Sequence, residues 1–140
     1  MTPIQQLLLG VGAKKKTYVD DVFSTYLYKG NASTLSINNG LNLSGEGGMT
    51  WIKARSNGTY VPHLYDTVRG AGKALYSSHT SAESTSSTKL TAFNSNGFSL
   101  GAESDVNDSG HTYASWTFRK APGFFDVVTY TGNGTAGRTV

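Results

Sequence analysis

The chain has no cysteine among its 140 residues, which excludes a disulfide framework, a thiol nucleophile and a thiolate metal site. Charged residues make up only 15% of it, too few for a chain kept disordered by its own charge. No apolar run is long enough to cross a bilayer. The short apolar run at residues 4–11 has no basic residue before it, so it does not read as a secretory signal. Synthesis and assembly in a cytoplasm, without membrane insertion, is the expectation. Paired acids, a nucleophile elbow and other catalytic motifs are also missing, so the chain is expected to be non-enzymatic and without a cofactor.

What is present is glycine, at 17 residues, with many Ser, Thr and Asn and 11% aromatics. That profile predicts many short strands joined by polar turns. The length suits one domain, or one domain and the start of another. The net charge is +3, but Lys14, Lys15 and Lys16 stand together and the rest of the chain is close to neutral. A nucleic-acid binder would show a basic face interleaved with aromatics, whereas the other Lys and Arg are scattered.

The opening residues differ from the remainder. Thr2 suits an N-cap, Pro3 the first helical position, and Gln5 completes a capping box. Ile4, Leu7, Leu8 and Val11 then share one face of a helix that Gly10 and Gly12 end. So short a helix needs something to dock on. Two readings stay open: it packs on its own domain, or it inserts into a neighbouring subunit. The glycines and lysines that follow read as a hinge, so residues 1–16 form an arm.

Strands are expected from residue 17 onward: at 17–28, 35–37, 41–43, 49–55, 60–66, 74–76, 90–93, 98–100 and 111–119, with 77–89 a surface loop. Residues 91–119 read as two strands joined by a loop, the organising unit. In the second of these strands, Thr112, Ala114, Trp116 and Phe118 alternate with Tyr113, Ser115 and Thr117. The Trp116 and Phe118 side is expected to face the core, with Trp51 close to Trp116. Lys120-Ala121-Pro122-Gly123 marks a boundary between a domain at 17–121 and residues 122–140. Beyond it, residues 125–133 echo 23–31 at Phe, Tyr, Gly and Asn, which reads as the start of a second, truncated repeat.

Gly70-Ala71-Gly72-Lys73 lacks the first glycine and the Ser/Thr of a phosphate loop, and reads as a flexible turn. Asp105, Asn107 and Ser109 match the first half of a calcium loop, yet Trp116 stands where the bidentate acid belongs. A side-chain-closed turn is the better account, with a weak calcium site as the alternative. His63, His79 and His111 have no ligand-spaced partner, apart from Asp66 near His63, and read as surface residues. Sequons at Asn31, Asn42, Asn57, Asn107 and Asn133 signify turn-rich loops. Tyr60, Tyr65 and Tyr76, with Tyr113 and Arg69, form either a sugar-stacking platform or ordinary sheet decoration.

The segments LTAFNSNGFSLG (90–101), NDSG (107–110), TYASWTF (112–118) and GFFDVVTYTG (123–132) resemble virion proteins of marine tailed bacteriophages. The opening MTPIQQLLLGVGAKKKTYVDDVFSTYLY does so too, and the likeness covers nearly the whole chain. Those proteins repeat the block across tandem jelly-roll β-sandwiches of concanavalin A-like, or laminin-G-like, form. The resemblance implies an all-β antiparallel jelly-roll sandwich with a short N-terminal helical anchoring arm. It also implies a structural protein of the virion, a tail fibre or appendage whose arm docks on a tail or adaptor subunit. In that reading Ile4, Leu7, Leu8 and Val11 bury apolar surface and Lys14, Lys15 and Lys16 meet acidic groups. Homo-oligomerisation is expected, as a trimer in many fibres. The alternatives are a carbohydrate-binding host-recognition module touching a host surface glycan and a capsid decoration protein, with a hydrolytic depolymerase more distant.

Overall fold

The structure, a computed structural model, describes residues 16–140. The expected helix carrying Ile4, Leu7, Leu8 and Val11, and the hinge residues Lys14 and Lys15, lie outside the described residues. The expected β run at residue 17 begins instead with one helical turn, α1 (Val19–Val22). The Asp21 carboxylate accepts from the Tyr18 backbone N–H at 2.9 Å and closes that turn. Strand β1 (Phe23–Lys29) follows, then β2 (Leu35–Asn38). Leu41 and Leu43 do not form a strand. Asn42 caps a second turn, α2 (Leu43–Glu46), accepting from the Gly45 N–H at 2.9 Å, and Gly47 ends it at φ +82°.

The remaining elements are β3 (Gly48–Ala54), β4 (His63–Asp66), β5 (Lys73–Tyr76), β6 (Ser84–Thr85), β7 (Leu90–Asn94), β8 (Gly97–Leu100), α3 (Ser104–Asn107) and β9 (Thr112–Arg119). They build two antiparallel sheets. One has six strands in the order β1-β9-β3-β4-β5-β6, the other three in the order β2-β8-β7. The tight β7–β8 hairpin turns at Asn94 and Gly97. Gly97 has φ +134°, and a Cβ there would collide with the Ile37 carbonyl oxygen, so no other residue fits. Strands β8 and β9 are not partners. They belong to different sheets, and residues 101–111 carry the chain from one sheet to the other.

Both sheets contribute to one apolar core. Ile37, Leu90, Phe98 and Leu100 of the narrow sheet meet Tyr28, Ile52, Tyr65 and Tyr113 of the wide one. The expected orientation of β9 is therefore reversed. Tyr113, Ser115 and Thr117 face inward and are fully buried, while Trp116 and Phe118 face outward and are half-buried. Alternation defines two faces without saying which is inside, and hydrogen bonding decides here. The Thr117 hydroxyl accepts from Asn39 Nδ2 at 2.9 Å and lies 3.4 Å from the Thr50 hydroxyl. Satisfied in this way, a small hydroxyl costs little to bury, and the 39–43 segment occupies the space above it.

The crossing segment is held by Asn107, which is fully buried. The two hydrogens of its Nδ2 are shared among Asn31 Oδ1 at 3.1 Å, the Ser33 carbonyl at 2.5 Å and the Gly101 carbonyl at 2.7 Å. Its Oδ1 accepts from the Asn31 N–H at 3.0 Å. Two stacked tyrosines support it from β1 and β9: Tyr28 donates to the Val106 carbonyl at 2.7 Å and Tyr113 to that of Ser104 at 2.7 Å. Burial raises both phenol pKa values, that of Tyr113 to about 12.

Asn107→Ala strands several buried backbone partners at once, and should lower stability by about 3 kcal/mol in urea unfolding. Phe98→Ala should cost about 3–5 kcal/mol. Leu27→Ala, on the outward face at 58% exposure, should cost less than about 1 kcal/mol in the same assay. Equal losses for the Phe98 and Leu27 variants would contradict the assignment of faces.

Candidate functional site

The tyrosines and arginine proposed as a sugar platform do not form one. Strand alternation turns His63 and Tyr65 inward together, and Tyr65 is fully buried with no face to offer. Its ring stacks on His63, whose other neighbour is Tyr76. Tyr76 is half-buried and donates to the Ser84 hydroxyl at 2.6 Å, to which the buried Lys89 ammonium also donates at 2.6 Å. Arg69 is spent on Asp66, Glu83 and the Leu64 carbonyl. Tyr60 lies in a separate cluster, donating to Asp108 Oδ2 at 2.6 Å, a bond that raises its pKa. Tyr113 is in the core.

The calcium reading fares no better. Asp105 Oδ2 faces His63 Nε2 at 3.7 Å, and both polar atoms of Asn107 are consumed by the backbone crossing. Ser109 is exposed. Among the described residues no group of three His, Asp or Glu side chains is placed to hold a metal. The sequon asparagines act as local turn closers: Asn31, Asn57 and Asn133 accept from the N–H two residues on, and Asn42 from the one three residues on.

Two histidine clusters were not legible in the chain. His111 Nε2 lies 3.4 Å from Asp108 Oδ2, and its Nδ1 lies 3.1 Å from the Ser56 hydroxyl. A serine, a histidine and an aspartate in series are the parts of a hydrolase relay. Here the Ser56 oxygen also accepts from the Thr112 N–H at 3.0 Å, and Asp108 is shared with Tyr60. The cluster therefore ties the 55–60 loop to the 107–112 loop.

His63 is the other. Its Nδ1 donates to the Val61 carbonyl at 2.9 Å, which leaves Nε2 buried and without a hydrogen bond. It approaches Asp105, not Asp66, which binds Arg69. Burial holds its pKa below the usual 6.5, with Lys89 adding to the effect and the Val61 bond, Asp105 and Glu103 opposing it.

The outward face of the six-stranded sheet carries a stripe of apolar side chains. Register sets Phe23, Phe118 and Met49 side by side in one row. The next row is Thr25, Trp116, Trp51, Leu64 and Leu75, and the third begins Leu27, Ala114. The indoles of Trp51 and Trp116 meet at 5.3 Å, as the sequence led us to expect, but outside the core. Phe118 lies between Phe23 and Phe125, at 5.0 and 5.3 Å. Leu27 and Leu75 are exposed, at 58% and 38%, and the rings are half-buried. Lys16 is described but not on this face. It lines a groove beside α1 with Asp20, Asp21 and Glu46.

Two antiparallel sheets around one core, with an aromatic stripe on the outside of the wider sheet, define an all-β protein of the sandwich class. The chain belongs to the family described as Domain of unknown function (DUF7483), whose sequence model matches residues 19–140. No curated protein matches the chain, and no solved structure does. The family match runs through the predicted boundary at 121/122. Residues 122–140 form no strand, and Ala121 bridges to Phe125.

Because the folded His63 has a pKa below about 6.5, the unfolded chain takes up its proton first. Stability should be full above about pH 6.5 and fall as the pH drops from there toward the folded value. The urea midpoint should decline between pH 7.5 and 5.5, and His63→Phe should flatten the decline. An unchanged slope in that variant would remove His63 as the cause.

Proposed function

We propose that this protein is a non-enzymatic structural component of a bacteriophage virion, most specifically a tail fibre or tail appendage. Residues 1–16 would dock on a tail or adaptor subunit while the sandwich extends outward. The observation that supports attachment as its work is the outward stripe of Phe23, Phe118, Trp116, Trp51, Leu64 and Leu27. Contiguous apolar patches of this kind mark association surfaces, because leaving them in water is unfavourable. The finer topology we propose is the concanavalin A-like jelly roll, supported by the two antiparallel sheets and the resemblance to tandem sandwich proteins. Homo-oligomers, trimers in a fibre, fit the same reading.

One observation favours a second reading, a glycan-binding host-recognition module. Trp51 and Trp116 lie together on the outward face, each half-buried, and aromatic rings can stack on sugar rings. Glycan-array binding that disappears in Trp116→Ser would establish it.

Leu7→Asp with Leu8→Asp should abolish incorporation into particles, read by immunoblot of purified virions, while the sandwich stays folded. Incorporation at normal copy number would overturn the attachment role of the arm.

A further inference from the structure

We propose that the outward stripe of the six-stranded sheet is the docking surface for residues 3–11 of this same chain, laid across it as an amphipathic helix. The proposal rests on the stripe being an association surface and is independent of the particle the protein joins.

The preceding chain meets the structure in the right place. Lys16 lies in a groove with Ala121 and Pro122, and Ala121 bridges to Phe125, whose ring stacks on Phe118 at one end of the stripe. Residues 12–18, if extended, reach about 23 Å. Strands are spaced about 4.8 Å apart, so β9 and β3 are both within that reach.

The dimensions agree. From Phe118 to Ala114 the stripe runs four residues along β9, about 13 Å, and a nine-residue helix is about 13 Å long. As a helix, Ile4, Leu7, Leu8 and Val11 would share one apolar face, which a helix so short must bury to persist. The groove that holds Lys16 offers Asp20 and Asp21 to the lysine run, while its third acid, Glu46, pairs with Arg119. A second copy laid face to face would cover the stripe yet leave the helix uncovered. The arm satisfies both surfaces in one contact, and a tail subunit would take it by exchange.

Both tryptophans of the chain are on the stripe, so their fluorescence reports its cover. In the full chain, Leu7→Asp with Leu8→Asp should move the emission to longer wavelength and increase acrylamide quenching. Leu27→Lys, which alters the receiving face at an exposed position, should do the same with the arm intact. The wild-type signal should not change on dilution. Equal emission and quenching in all three proteins, with β-sheet circular dichroism retained, would overturn the proposal. So would protection that is lost on dilution, which would make the occupant another copy. Failure of the double variant to enter particles with unaltered fluorescence would overturn stowage on the stripe and leave the attachment reading standing.

Discussion

The fold depends on how one buried amide is satisfied. Asn107 sits where the chain crosses between sheets, and its Nδ2 and Oδ1 together engage Asn31, Ser33 and Gly101. A segment crossing the edge of a sandwich must bring polar backbone into a dry place, and each group left unpaired there is costly. Asn107 supplies donors and an acceptor in one side chain, and the stacked pair Tyr28 and Tyr113 adds two more donors from the sheet below. Gly30 is part of the same arrangement, because a Cβ there would collide with the Asp108 carbonyl oxygen.

That crossing fixes which side of the wide sheet faces the narrow one. Once Tyr113 lies under α3, alternation puts Ser115 and Thr117 inside and Trp116 and Phe118 outside. The interior accepts small hydroxyls because Asn39, Thr50 and the Tyr26 carbonyl meet them. The larger rings are left for the outward face, where they assemble across strands into a stripe. A surface suited to association is thus a consequence of the way the interior polar groups are paired.

The same inward turn of β4 explains the histidine and tyrosine positions. His63 and Tyr65 share a face, so both enter the interior, whereas Tyr60 and Tyr76 keep partial exposure, their hydroxyls bound to Asp108 and Ser84. Lys89, in a stretch that reads as a polar surface loop, is buried because Ser84 and Tyr76 receive its ammonium group.

The all-β character was legible in the sequence from β-branched and aromatic runs broken by Asn and Gly, since these are local preferences of backbone and side chain. Strands β7 and β8 followed from the same local rules. What local rules cannot carry is the identity of the partner across space. The tertiary structure alone decided that β8 and β9 lie in different sheets, that the Trp116 face is outward, and that Asp105 rather than Asp66 approaches His63. Each depends on which distant group satisfies a buried polar atom, and a period of two along one strand holds no information about that.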